Sequence, residues 1–209
     1  MRIIKYLLLK IIKKLYWPDD NLPVGAAAEY LLDKLLPSAF KVFKDSEFRK
    51  IVNFDKISQV EQDRIFNELE VAAISIALFC LEERESVVQL KDFHFWKGVC
   101  EKMPAGFEDK LLKLGIDPKN ARLFKDLIEI RHVEYVKISE GNRDWIDNDL
   151  RELKSEYAKE VMARVQAIAV GTADHIRRGK LKVGDALISH LRNWLFPLDM
   201  EITNFIKKL

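Results

Sequence analysis

A chain of 209 residues, 48% apolar and 33% charged, can bury one sizeable core and is too apolar to stay disordered. Eight Gly and six Pro are too few for the many tight turns of an all-β fold. The net charge of +2 hides an asymmetry. Of the 35 Lys and Arg, five lie in residues 1–17 with no acid among them, which leaves 30 bases against 33 acids elsewhere. The body is therefore not basic, and a general affinity for nucleic acid is not indicated.

The opening stretch "MRIIKYLLLKIIKKLYWP" puts Ile4, Leu7, Leu8, Ile11, Ile12 and Leu15 on one helical face. Arg2, Lys5, Lys10, Lys13 and Lys14 line the other, and Pro18 ends the pattern. Lys5 and Lys10 leave only Tyr6–Leu9 uninterrupted, short of the ~7–15 apolar residues of a signal peptide and of the ~20 a bilayer span needs. Residues 1–18 are expected to form a basic amphipathic helix. It would meet a protein partner or an anionic membrane surface, with Tyr16 and Trp17 at the interface. The plainer alternative packs its apolar face on the body. Residues 19–209 are then the helical-bundle domain.

A second helix is expected from Pro23 to just before Pro37, opening on the small residues Gly25–Ala28, and a third over about 38–52. "SQVE" reads as a capping box, Ser58 with Glu61, that starts a helix reaching about Glu83. Its middle, Leu69–Leu81, is apolar nearly all round and predicts a central buried helix. A fifth helix is expected over about 87–102, then a short one closed by Gly115. Asp117 and Pro118 begin the next, expected to end near Gly141. A long helix over about 147–178 and two more, about 183–196 and 199–208, complete an all-α, single-domain bundle of eight to ten helices. Cys80 and Cys100 form no CxxC motif and read as two buried thiols of a reducing compartment.

The stretch "LFKDLIEIRHVEYVKI" carries the main anomaly. Its apolar stripe is Phe124, Leu127, Ile128, Tyr135 and Ile138, and Arg131 stands where the period asks for an apolar residue. A guanidinium in an apolar seam must be paired or must reach a cavity. Glu70 and Glu68 on the central helix are the candidate partners, with Glu134 local at i+3. A structural pair or a snorkelling Arg is the plain reading, and an anion-binding pocket the functional one.

"LIEIRHVEYVKISEG" followed by a long helix resembles the signature region of HEPN domains, over about residues 60–175 by helix order. These are small helical domains, often ribonucleases of defence or toxin systems. Their motif is an Arg, commonly followed by Asn, then a His four to six residues later. Arg131 matches the Arg and His132 holds the Asn position; these two are the catalytic candidates. Tyr135, Val136, Lys137 and Ile138 fill the places where the motif His could fall. The resemblance thus implies an RNA-directed protein in which a binding or inactive form is favoured over a nuclease.

Other constellations are thinner. A carboxylate-bridged metal centre needs two Glu-x-x-His spacings. Glu129 and His132 give one, but Thr172 stands where the Glu before His175 should be, so no metal or other cofactor is expected. His175 and Arg164 lie on the stripe of the long helix, and His190 lies near the next one; a lone His there reads as a core residue. Arg177, Arg178, Lys180 and Lys182 cluster at a helix end, where cations complement the dipole or contact phosphate. The expected function is a non-enzymatic interaction or regulatory protein, with a protein partner or second copy and RNA as the alternative ligand. The expected place is the cytoplasm, or the inner face of a membrane touched by residues 1–17.

Overall fold

A computed structural model describes residues 24–87, 90–149 and 154–207. Among them the chain is all-α. Its helices are α1 (Val24–Phe43), α2 (Ser46–Ile51), α3 (Gln59–Val87), α4 (Leu90–Lys113), α5 (Pro118–Asp149), α6 (Glu156–Ile176) and α7 (Ala186–Ile206), with one 3-10 turn at Phe54–Lys56. The basic N-terminal segment lies outside the described residues.

Among the described residues seven α-helices stand, and the expected helix of residues 1–18 lies outside them; the expected eight to ten is not met because Pro104 and Pro197 do not break their helices, and Pro37 also lies inside one without changing the number. Pro37 lies inside α1, Pro104 inside α4 and Pro197 inside α7. A proline there removes one helical hydrogen bond and crowds the preceding turn. In each case the apolar stripe crosses it in phase. Leu35 and Ala39 flank Pro37, Val99, Met103 and Phe107 flank Pro104, and Leu195 and Leu198 flank Pro197, all buried. Tertiary burial therefore holds the helix through the local defect. The third expected helix also shortens. α1 runs to Phe43, and α2 starts afresh where Asp45 accepts a hydrogen bond from the Phe48 amide at 2.8 Å.

Caps set the remaining ends. Ser58 accepts from the Glu61 amide at 3.3 Å and starts α3. The return half of the expected box is diverted, because the Glu61 carboxylate binds Arg64 and Arg178. Gly115, at φ 82°, closes α4. Asp117 caps α5 through the Lys119 amide at 3.0 Å. α5 does not end near Gly141 but continues to Asp149, with Ile146 buried beyond the glycine. α6 begins at Glu156 rather than near Asp147, where Ser155 accepts from the Ala158 amide at 3.2 Å.

One cluster of buried side chains draws on all seven helices. α3 touches α1, α4, α5, α6 and α7, and its residues from Glu68 to Leu78 are all buried. Cys80 is buried, as expected, but Cys100 is only half-buried. No described helix is long and apolar enough to cross a membrane.

Candidate functional site

α5 lies against α3, α4 and α6 through an inner row that includes Ala121, Ile128 and Tyr135, each fully buried. Arg131 stands beside this row and points to α3. Its guanidinium forks the Glu68 carboxylate, Nη2 to Oε1 at 3.2 Å and Nε to Oε2 at 3.4 Å. Nη1 reaches Glu134 at 3.3 Å. Burial opposes the Arg131 charge, and the Glu68 and Glu134 carboxylates more than offset it. Of the two candidate partners, Glu68 is the one used. Glu70 makes no hydrogen bond or ion pair with another described residue, and burial pushes its carboxyl up to about 7.

Glu134 also binds His175 of α6, Nε2 to Oε2 at 2.9 Å. Arg131 and His175 therefore meet on one carboxylate. Next to them the Tyr135 hydroxyl and Thr172 share a hydrogen bond of 3.1 Å. Burial raises that phenol above its ordinary range, so it stays neutral. Gly171 makes room for the ring: a Cβ there would fall 2.7 Å from Tyr135 Cδ1. The end of α6 is held by Arg64, which donates to the carbonyls of His175 at 2.8 Å and Ile176 at 3.0 Å.

The second catalytic candidate diverges from the first. His132 turns toward the far end of α3, with Nε2 2.8 Å from Glu82 and its ring edge-on to Phe79. Its Nδ1 is buried without a partner. Of the four expected phosphate contacts, two are engaged inside the chain. Arg177 forks Asp185 at 2.9 and 3.0 Å, and Arg178 binds Glu61. These pairs draw the Asp185 carboxyl down and hold Glu61, first through Arg64 and then through Arg178, at about 2. Lys180 and Lys182 are exposed. His190 sits 3.6 Å from Asp45 and beside Phe48. Arg2, Lys5, Lys10, Lys13, Lys14, Tyr16 and Trp17 lie outside the described residues.

One buried ionic centre escaped the sequence reading. Arg164 of α6 forks Asp199 of α7, Nη2 to Oδ1 at 3.0 Å with Nε on the other oxygen, and also binds Glu83 of α3. Asp199 is fully buried and Arg164 is 3% exposed. The Cys80 thiol lies 3.4 Å from Asp199, and Thr203 donates to its sulfur at 3.7 Å. Burial pushes that thiol up, so it is inert as a nucleophile. The signal was present: Arg164 and Asp199 are opposite charges that both stand on apolar stripes. Beside this centre a hollow of about 480 Å³ is lined by Phe79, Glu82, Glu83, Ser139, Glu156, Tyr157, Glu160 and Arg164. Its four acids are each paired, with His132, Arg164 or Arg143. Among the described residues no group of three or more His, Cys, Asp or Glu could hold a metal ion.

The side of α5 away from the bundle is different in kind. Leu123, Ile130, Val133 and Trp145 are each more than half exposed. Glu129, Ile130, Val133, Glu134 and Lys137 line a shallow, open hollow there. Among the described residues the fold is an all-α helical bundle whose α5 leaves apolar side chains in solvent. In comparison with known proteins, the chain matches no family, no curated protein and no solved structure.

Proposed function

We propose that this protein works by contact and not by catalysis. One observation carries the reading: α5 leaves Leu123, Ile130, Val133 and Trp145 in solvent, while Arg131, Arg164 and His175 within the bundle are each held by a carboxylate. A catalytic group needs an open lone pair, proton or charge where substrate can meet it. Arg131 is forked by one carboxylate and touched by a second, so its charge is already answered. In this reading residues 19–209 are a single domain with α3 as its central apolar helix, supported by the buried run from Glu68 to Leu78. Residues 1–17 supply a second contact, in which Arg2, Lys5, Lys10, Lys13 and Lys14 meet anionic lipid.

The carrying observation is tested by the double variant Ile130→Asp, Val133→Asp in the full chain. Both side chains are in water, so the melting temperature should stay within a few degrees of wild type. A large drop would mean that the face is covered, and the reading would lose its support. The lipid contact is tested by co-sedimentation with phosphatidylserine-containing and neutral vesicles. Binding should require the anionic lipid, weaken with salt, and vanish when Lys5, Lys10, Lys13 and Lys14 become Glu. Indifference to all three removes the membrane version.

An RNA-directed, HEPN-like function is the second reading. The convergence of Arg131 and His175 on Glu134 favours it, because His175 supplies in space an imidazole that the local motif lacks. RNA cleavage or binding that is lost in both Arg131→Ala and His175→Ala, with the fold intact, would support it. RNA activity that survives either change would count against it.

A further inference from the structure

The outer side of α5 is patterned, and the pattern answers itself. Starting at Lys119, steps of four and three residues alternate through Leu123, Asp126, Ile130, Val133 and Lys137, then reach Glu140 and Asp144. That spacing is the seam of a coiled coil. Every one of these residues is exposed. The seam lies on the opposite side of α5 from the buried row Ala121, Ile128, Tyr135, so no part of it is needed for the core.

Among the described residues the charges on this seam are unused. The ion pairs of α5 engage Arg131, His132, Glu134, Arg143 and Asp147. Lys119, Asp126, Lys137 and Asp144 take part in none with a described residue. Their order is the useful fact. Read in reverse, the seam places each base opposite an acid, about a midpoint between Arg131 and His132.

We infer that two copies of this chain pair through α5, antiparallel and two-fold symmetric. Ile130 then meets the partner's Val133 at the centre, where apolar surface is removed from water. Asp126 meets the partner's Lys137 one turn away on each side, and Lys119 meets the partner's Asp144 at the ends. Leu123 lies along the methylene stem of the partner's Glu140. Symmetry makes each of these contacts occur twice. A parallel pair would stack Asp126 on Asp126 and Lys137 on Lys137, so the charges select the antiparallel arrangement. The seam runs about 38 Å, at 1.5 Å per residue over the 25 steps from Lys119 to Asp144. One helix pair of that length is at the small end of specific interfaces, below about 1,200 Å². The association is therefore weak, reversible and sensitive to salt.

The inference rests on the contact reading of α5 and is independent of the membrane contact. It is tested by sedimentation velocity of the full chain up to about 1 mM, the regime of weak interfaces. Wild type should form a dimer that recedes when salt rises from about 50 to 500 mM. Asp126→Lys sets Lys against Lys twice, and Lys137→Asp sets Asp against Asp twice. Each should weaken dimerisation by about tenfold or more. The double swap Asp126→Lys, Lys137→Asp should restore it, and an equimolar mixture of the two single variants should dimerise where neither does alone. A monomer throughout, or a dimer untouched by Asp126→Lys, overturns the inference. Neither result alters the melting behaviour of the Ile130, Val133 variant, so the contact reading can stand when this one fails.

Discussion

Glu70 is an acid without a base. It is 9% exposed on α3, and desolvation raises its carboxyl from 4.5 to about 7. The folded state therefore holds a proton that the unfolded state has already released. Stability from this group falls as pH rises from about 4.5 to 7 and is lowest above that window. The full effect is at most about 3–4 kcal/mol, since each tenfold change in proton affinity is worth about 1.36 kcal/mol. Glu70→Gln should flatten the decline and raise the melting temperature at pH 8 while changing little at pH 4. Denaturation followed at several pH values checks this, and an unchanged slope would deny the burial. The contrast with Glu68 explains what the sequence could and could not say. Arg131 was readable as an anomaly because a permanent cation breaks an apolar stripe. Which of two nearby glutamates answers it depends on the rotation of α3 against α5, and periodicity along one helix does not carry that.

Helix identity was readable from pattern, and helix boundaries were not. Pro37, Pro104 and Pro197 are strong local stop signals, yet in-phase burial on both sides overrides them. Gly141 was likewise too weak a stop: a glycine costs a helix only about 1 kcal/mol, and Ile146 lies buried beyond it. Ser58, Asp117 and Gly115 were readable, because a cap or a positive φ is a property of the residue itself. Pro197 gives the cleanest test, since it is exposed while its neighbours Leu195 and Leu198 are buried. Pro197→Ala restores the missing helical bond and should stabilise the protein by roughly 1–2 kcal/mol, after part of the ~3 kcal/mol helix penalty is offset by the freer unfolded chain. Chemical denaturation measures it, and destabilisation would show that a kink at Pro197 is required for packing.

At the scale of the bundle, a buried ionic centre ties three of the described helices together and the outer face of α5 stands open. Arg164, Asp199, Glu83 and Cys80 join α6, α7 and α3. Removing one member of a buried pair strands the other charge, so Asp199→Ala should cost about 3–5 kcal/mol. Asp199→Asn keeps the shape and should cost less. Equal losses for the two would point to packing rather than charge. This centre was missed because neither stripe alone announces a pair; the match appears only when two helices are set side by side. The uncovered face of α5 was equally hidden, since exposure is a property of the assembled bundle. Because the account turns on that face being open, thiol labelling of the Ile130→Cys variant in dilute protein tests it most directly. The introduced thiol should react about as fast as an unstructured cysteine, while buried Cys80 resists until the protein unfolds. Protection of the introduced thiol comparable to that of Cys80 would mean that α5 is covered on both sides and would contradict the account.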